Sequence, residues 1–273
     1  MRHYAHQVER ASGIALAAGV SLESLMEVLL EDAAHWDPED SPRSGSLCLA
    51  SSSGGKGSAR DPARIAGTLP SPSGRGALSG SSAAPESTLE VGWILRRSRP
   101  EVGFRSVELA LPWSVAAVAG VNDRGLAASL ASGGDFDSST GGGPTPALLL
   151  QECLQRFEAV DAGLDWCLKR PGVGWGSVVL ADQAGSVGAV VLNGSQRRVL
   201  RAVDGLLVAG ASPDLETQLR KQFLADPDLA ACLSSSHDGE PHAAWVDFGL
   251  SRRQLSCRER AGGVWQTRGP FSA

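Results

Sequence analysis

Apolar residues recur at helical spacing over residues 9–31, near the start of the chain. The series is interrupted at Gly19 and resumes after Ser21. A serine is a preferred N-cap, and the acidic Glu23 that follows suits the positive end of a helix dipole. The pattern therefore predicts two short helices joined at residues 19–21.

Short apolar runs bounded by Gly, Pro, Asn and Asp predict β-strands in much of the remaining chain. The predicted strands cover residues 46–50, 63–69, 89–95, 104–111, 114–121, 126–130, 177–180, 187–192, 198–202, 206–208, 243–248, 254–259 and 263–265. Helical spacing returns at residues 146–156, 160–169, 214–223 and 227–233. Runs of strands flanked by runs of helices predict the α+β class.

The composition shifts toward Ser, Gly, Pro and Ala between residues 51 and 87. Few large apolar residues interrupt this segment, so most of it has too little hydrophobic surface to order itself. We therefore predict a weak strand at residues 63–69 and a flexible insertion at about residues 71–87.

The charge pattern argues against nucleic-acid and membrane partners. The net charge is -5 and the basic residues are scattered, whereas a polyanionic partner requires a concentrated basic surface. Arg96, Arg97 and Arg99 are expected to form a solvated face. No run approaches the roughly 20 apolar residues that span a bilayer, and we expect a cytoplasmic protein.

Cysteine and histidine spacing gives no sign of a disulfide framework or a metal site. The five cysteines are odd in number and widely spaced, which favours reduced thiols. None forms a C-x-x-C pair, and the five histidines include no helical H-x-x-x-H pair. The sequence therefore predicts neither a metal nor a cofactor.

One cysteine stands out by its position. The Pro- and Gly-containing stretch at residues 35–45 breaks the helical pattern and leads into the predicted strand at residues 46–50, which contains Cys48. A cysteine between leucines is commonly a small buried hydrophobe. A nucleophile at the start of a strand is the alternative, and the residues around Cys48 do not decide between the two.

Three segments together resemble the penicillin acyltransferase-like family of N-terminal nucleophile hydrolases. Residues 13–25, GIALAAGVSLESL, fit the pattern G-I-A-x-x-A-G-V-S-x-E-x-L, and a loop then leads to Cys48. Residues 120–127, GVNDRGLA, are similar to G-x-N-E-x-G-L-A. A helical pair and a strand hairpin at residues 177–185 follow in the family's order.

The resemblance implies a four-layer αββα sandwich of two antiparallel sheets between helical layers. It implies a helical pro-segment at residues 1–47 that stays part of the fold, and a sandwich domain at residues 48–273. Members of the family cleave their own backbone before the cysteine, and the new α-amino group acts as the general base for the thiol. By this resemblance Cys48 is the nucleophile, acting on a small acyl-containing substrate; the oligomeric state stays open.

Several positions depart from the family pattern. Leu47 and Leu49 replace the usual Gly and Thr around the cysteine. Pro70 stands where the pattern G-R-T-L-D has its acid, and Ala131 stands where an Asn donates to the oxyanion. Gly210 replaces the Asn of a T-N-H stretch. A site without these polar groups is expected to be slow by orders of magnitude.

Two functions follow from these departures. One is a cysteine amidase or acyltransferase that acts on an amide or thioester after self-cleavage before Cys48, with Ser51, Ser132 or Asp135 taking over a missing role. The other is a catalytically silent member, a pseudoenzyme, that uses the sandwich to bind a ligand or a protein.

Overall fold

The computed structural model describes residues 5–34, 47–52, 63–69, 93–131, 144–171, 175–194, 196–236, 244–261 and 264–273. Six α-helices lie in these ranges: α1 (Ala5–Ala18), α2 (Leu22–Ala34), α3 (Pro146–Arg156), α4 (Val160–Leu168), α5 (Pro213–Ala225) and α6 (Leu229–Ser236). The predicted flexible insertion at about residues 71–87 lies outside them.

The described strands form two antiparallel sheets. The six-stranded sheet has the order β10-β1-β2-β11-β12-β13 and the seven-stranded sheet the order β3-β4-β5-β6-β7-β8-β9. Their bounds are β1 (Cys48–Ser52), β2 (Ala63–Leu69), β3 (Ile94–Ser98), β4 (Ser106–Ala110), β5 (Ala119–Asn122), β6 (Leu126–Ala131), β7 (Trp175–Asp182), β8 (Val187–Asn193), β9 (Gln196–Arg201), β10 (Leu206–Ala209), β11 (Ala244–Gly249), β12 (Gln254–Ala261) and β13 (Val264–Ser272). The second sheet runs in sequence order, as a meander does.

The two sheets pack face to face between two helical layers. Strands β1 and β2 contact β6 and β7 across the sandwich, α3 and α4 cover the seven-stranded sheet, and α5 and α6 cover the six-stranded sheet. Each sheet therefore buries both faces, which explains why strands such as β4, β5 and β6 are buried along their whole length. The predicted α+β class and αββα sandwich are confirmed.

The helix boundaries follow local capping chemistry. Gly19 adopts a φ of 69°, which ends α1, and the Ser21 hydroxyl accepts a hydrogen bond of 3.0 Å from the Ser24 amide at the start of α2. The predicted pair of helices is confirmed, including its cap. Helices α3 and α5 begin at prolines after Thr145 and Ser212, whose hydroxyls accept from the first turn.

The strand predicted at residues 114–121 is wrong over its first part. The chain turns at residues 112–118, and β5 begins only at Ala119. The Ser114 hydroxyl bonds both the amide and the carbonyl of Ala116, and the Ser114 amide donates to Leu111, so local bonds replace a ladder. The strand predicted at residues 89–95 begins at Ile94, and residues 89–92 lie outside the described ranges.

Asn122 does more than form the turn between β5 and β6. Its side chain is fully buried, and its amide group donates to the carbonyls of Leu154 and Phe157 at the end of α3. Its carbonyl oxygen accepts from the amides of Arg124 and Leu126. One side chain thus joins the hairpin to the helix that covers it.

Replacing Asn122 with Ala is expected to lower the free energy of unfolding by about 2 to 4 kcal/mol, because two buried and two partly buried backbone groups lose a partner. Urea denaturation measures this loss. Arg124→Ala in the same turn is the matched control, because Arg124 is exposed; we expect it to cost no more than about 1 kcal/mol. Equal effects of the two changes would contradict this role of Asn122.

Candidate active site

Cys48 is the first residue of β1, one strand in from the edge of the six-stranded sheet. Strand alternation decides where its side chain points. Leu47 and Leu49 pack in the cluster formed with α5 and α6, whereas Cys48 and Ala50 belong to the core between the sheets. The thiol therefore lies inside the sandwich, and its residue is 0% exposed.

The sulfur and a hydroxyl of the opposite sheet border the same small space beside Gly67. Cys48 pairs with Gly67 on β2 and with Ala209 on β10. A Cβ atom added to Gly67 would lie 3.5 Å from the Cys48 Sγ and 2.8 Å from the Oγ of Ser129, which comes from β6 of the opposite sheet. The absence of a side chain at Gly67 therefore leaves room for the thiol and the hydroxyl to approach each other.

The thiol is strongly disfavoured as an anion in this environment. Burial raises the pKa of Cys48 to about 12, and the Ser129 hydroxyl offsets only part of this effect. Ser129 is itself 1% exposed, and its Oγ has no partner that meets the distance and angle of a hydrogen bond in the described residues. The hydroxyl and the sulfur both border the space beside Gly67, but they form no well-aligned hydrogen bond.

Where the structure describes them, the positions at which the resemblance predicts catalytic helpers carry no polar side chain. Ala131 is buried and belongs to the core between the sheets that holds Cys48. Gly210 follows β10 and has a φ of 86°. Pro70 lies outside the described residues.

Of the residues considered as replacements, the structure describes Ser51, and its side chain does not face the thiol. Ser51 is an odd number of residues from Cys48 on β1, so it projects from the opposite face of the sheet. Ser132 and Asp135 lie outside the described residues. Sequence reasoning missed Ser129, although it lies two residues before Ala131 on the same face of β6.

A second buried polar cluster centres on Glu108 of β4, which is 0% exposed. Its Oε2 lies 2.8 Å from the Nε of Arg96 and 3.7 Å from Nη1 of Arg10. Its Oε1 accepts from the Ser106 hydroxyl at 2.6 Å and from Gln151 Nε2 at 2.8 Å. Burial raises the pKa of Glu108, but the two arginines and the two hydrogen bonds outweigh it and hold the pKa below its ordinary value.

The expectation that Arg96, Arg97 and Arg99 form a solvated face is therefore wrong for Arg96. Arg97 and Arg99 are exposed, but Arg96 turns inward to Glu108 and also donates to the carbonyls of the turn at residues 112–118. Strand alternation explains the difference, because neighbours on β3 point to opposite faces.

Helix α1 is attached to the body through this region. Arg10 donates to the Val115 carbonyl at 3.0 Å and to the Ser98 hydroxyl at 2.7 Å. Gln7 donates to the buried Glu152 of α3 at 3.0 Å. His6 lies 2.6 Å from the same carboxylate. Polar contacts thus fix the helix that precedes Cys48 in the sequence.

In the described part of the chain, no group of three His, Cys, Asp or Glu side chains could hold a metal ion. No single described helix is long and apolar enough to cross a membrane, and α1 and α2 meet that requirement only as a pair bent by 110°.

The described chain forms a four-layer αββα sandwich of two antiparallel sheets, with a cysteine opening an inner strand, which is the architecture that the resemblance to the N-terminal nucleophile hydrolases implies. No protein-family model matches the sequence, and no curated protein matches it significantly.

Among solved structures, the chain is similar to penicillin V acylase from Agrobacterium tumefaciens, at 12% identity and a TM-score of 0.48 over 81% of this chain and 84% of that one. It is also similar to two variants of conjugated bile acid hydrolase from Clostridium perfringens. One has 10% identity and a TM-score of 0.43 over 60% of this chain and 76% of that one. The other has 10% identity and a TM-score of 0.44 over 64% and 83%.

Proposed function

We propose that the chain is a cysteine amide hydrolase or acyltransferase that becomes active by cleaving its own backbone between Leu47 and Cys48. The observation that carries this proposal is the position of Cys48 as the first residue of an inner strand, with its sulfur between the sheets beside Ser129 and Gly67. Cleavage at that bond would place an α-amino group on the residue that carries the thiol.

The uncut chain is a latent form in this proposal. A thiol with a pKa of about 12 is almost entirely protonated at neutral pH. An α-amino group has a pKa of about 8, close to the value of about 8.5 for an unburied thiol, so it can accept the proton where the cut lessens the burial of Cys48. Once the peptide is cut, this amine takes the thiol proton and the sulfur attacks the substrate carbonyl.

The reaction then proceeds by acyl transfer through Cys48. Attack on an amide or thioester forms a thioester to the sulfur, and the amine or thiol of the substrate leaves with a proton. Water or an amine attacks the thioester next and restores the thiol. Hydrolysis and acyl transfer differ only in this second acceptor, and the proposed substrate is a small acyl compound.

We also propose that residues 1–47 stay bound after the cut. Arg10 and Gln7 of α1 make buried or partly buried hydrogen bonds to the body of the protein. Ala11 and Ala15 of the same helix are buried in an apolar cluster that includes Trp113. These contacts do not depend on the Leu47–Cys48 peptide bond.

A catalytically silent protein that binds a ligand or a partner is the second candidate. It is favoured by the lack of a polar side chain at Ala131 and at Gly210, where the resemblance predicts polar helpers. Loss of one oxyanion donor alone typically costs about 2.7 to 4 kcal/mol of transition-state stabilisation.

Intact-mass measurement of the purified full chain separates the two candidates. The enzyme proposal predicts two pieces that divide before Cys48 and copurify without a covalent link. A single full-length mass after prolonged incubation at neutral and mildly alkaline pH would overturn it and favour the silent candidate.

A further inference from the structure

Ser129 is a buried polar residue among apolar neighbours. Its partners in the sheet are Ala119 on β5 and Val179 on β7, and both are fully buried. Ala127 and Ala131, on the same face of β6, are buried as well. The ladder and the strand therefore offer its hydroxyl no polar side chain.

Burying a hydroxyl without a hydrogen bond is costly, and such groups are rare in folded proteins. An alanine would fit the space of Ser129 without that cost. The Oγ is directed at the point where Gly67 lacks a Cβ, and the Cys48 Sγ borders the same point from the other sheet. The thiol thus borders the point that the hydroxyl faces, together with the Leu47 carbonyl oxygen at 3.6 Å from that point.

We propose that Ser129 is a positioning residue for Cys48, whose hydroxyl donates to the sulfur when the thiolate forms. This inference rests on the proposed role of Cys48 as the nucleophile. The positioning role explains why the hydroxyl lacks a well-aligned partner while the thiol is protonated. A thiolate is a much stronger hydrogen-bond acceptor than a thiol.

Gly67 belongs to the same arrangement. An added methyl group at Gly67 would lie at 2.8 Å from Ser129 Oγ, which is too close, and at 3.5 Å from Cys48 Sγ, which is ordinary contact. Gly67→Ala therefore displaces the hydroxyl and leaves the sulfur in place. Gly13 on α1 has no atom within 4 Å of its added Cβ, so Gly13→Ala is the matched control.

The test is the rate at which iodoacetamide modifies Cys48 in the full chain at mildly alkaline pH, resolved by peptide mass spectrometry. Cys232 lies on the other side of the six-stranded sheet and has a pKa raised to about 11, so it serves as the internal reference. Ser129→Ala is expected to lower the ratio of Cys48 to Cys232 modification about tenfold, the value of one charge-assisted hydrogen bond. Gly67→Ala is expected to lower it similarly, and Gly13→Ala to leave it unchanged.

A merely structural Ser129 makes the opposite prediction. Ser129→Ala would then raise the melting temperature, by removing an unsatisfied hydroxyl, and would leave the modification ratio unchanged. That result overturns the inference, as does a wild-type Cys48 that stays unmodified while Cys232 reacts. Ser129→Thr retains the hydroxyl and is expected to keep at least half of the wild-type ratio.

Failure of this inference can be distinguished from failure of the proposed function. A wild-type chain that never splits refutes the proposed function, while the modification ratio still decides whether Ser129 acts on the sulfur. If the chain does split, Ser129→Ala should slow the split and move its pH dependence to higher pH. A split with unchanged rate and pH profile would refute the role of Ser129 alone.

Discussion

Replacing Glu108 with Ala is expected to lower the free energy of unfolding by about 3 to 5 kcal/mol, the cost of breaking a buried ion pair. The carboxylate holds Arg96 at 2.8 Å, and Arg10 lies 3.7 Å away. Without it, two guanidinium groups share a region that is largely shielded from water. Their mutual repulsion and lost hydrogen bonds add to the cavity left by the side chain.

Urea denaturation at neutral pH measures this loss. Arg97→Ala is the matched control, because Arg97 is a neighbouring charge on β3 with an exposed side chain; we expect a change within about 0.5 kcal/mol. A Glu108→Ala protein that unfolds within about 1 kcal/mol of the wild type would show that the buried pair is not stabilising. Because Arg10 bonds this region, the variant should also loosen α1, which hydrogen exchange can detect.

The ion pair between Glu108 and Arg96 predicts that the stability of the protein falls at acidic pH. The pKa of Glu108 in the folded protein lies below its ordinary value of 4.5. A carboxyl group whose pKa is lower in the folded than in the unfolded protein stabilises the fold at pH values above its unfolded pKa. This stabilisation disappears as the pH falls through the folded pKa. Glu108→Gln should therefore flatten the loss of stability below about pH 4.5. An identical acid profile in the two proteins would contradict this assignment.

Replacing Cys48 with Ala is expected to abolish the division of the chain before residue 48, with a fall in rate of at least about a thousandfold. The thiol is the group that attacks the Leu47 carbonyl in the proposed cleavage, and alanine has no nucleophile. Intact mass as a function of time, beginning with freshly made protein, gives the rate. The Cys48→Ala variant should still fold, because the substitution removes little volume from this fully buried position.

Cys232→Ala is the matched control, because Cys232 is also fully buried but lies in the cluster with α5 and α6. It should divide at the wild-type rate. A Cys48→Ala chain that still divides at the same bond would assign the cleavage to another nucleophile or to a contaminating protease. If both alanine variants and the wild type remain whole, the silent candidate stands.

Local patterns predicted much of the secondary structure, because capping and periodicity act over a few residues. The break at Gly19 with the Ser21 cap is an example, since both its φ and its hydrogen bond involve near neighbours. The turn after β5 was also predicted from Asn122, but its bonds to Leu154 and Phe157 were not. Those partners are more than thirty residues away and meet Asn122 only when α3 packs on the sheet.

The family resemblance implied the αββα layers, and the break at residues 35–45 placed Cys48 in the strand predicted at residues 46–50. By itself, the sequence determined these elements and their class. Only the tertiary structure decided that Ser129 faces Cys48 across the sandwich and that Arg96 turns inward to Glu108. Contacts between strands far apart in sequence depend on register and sheet packing, which no local pattern encodes.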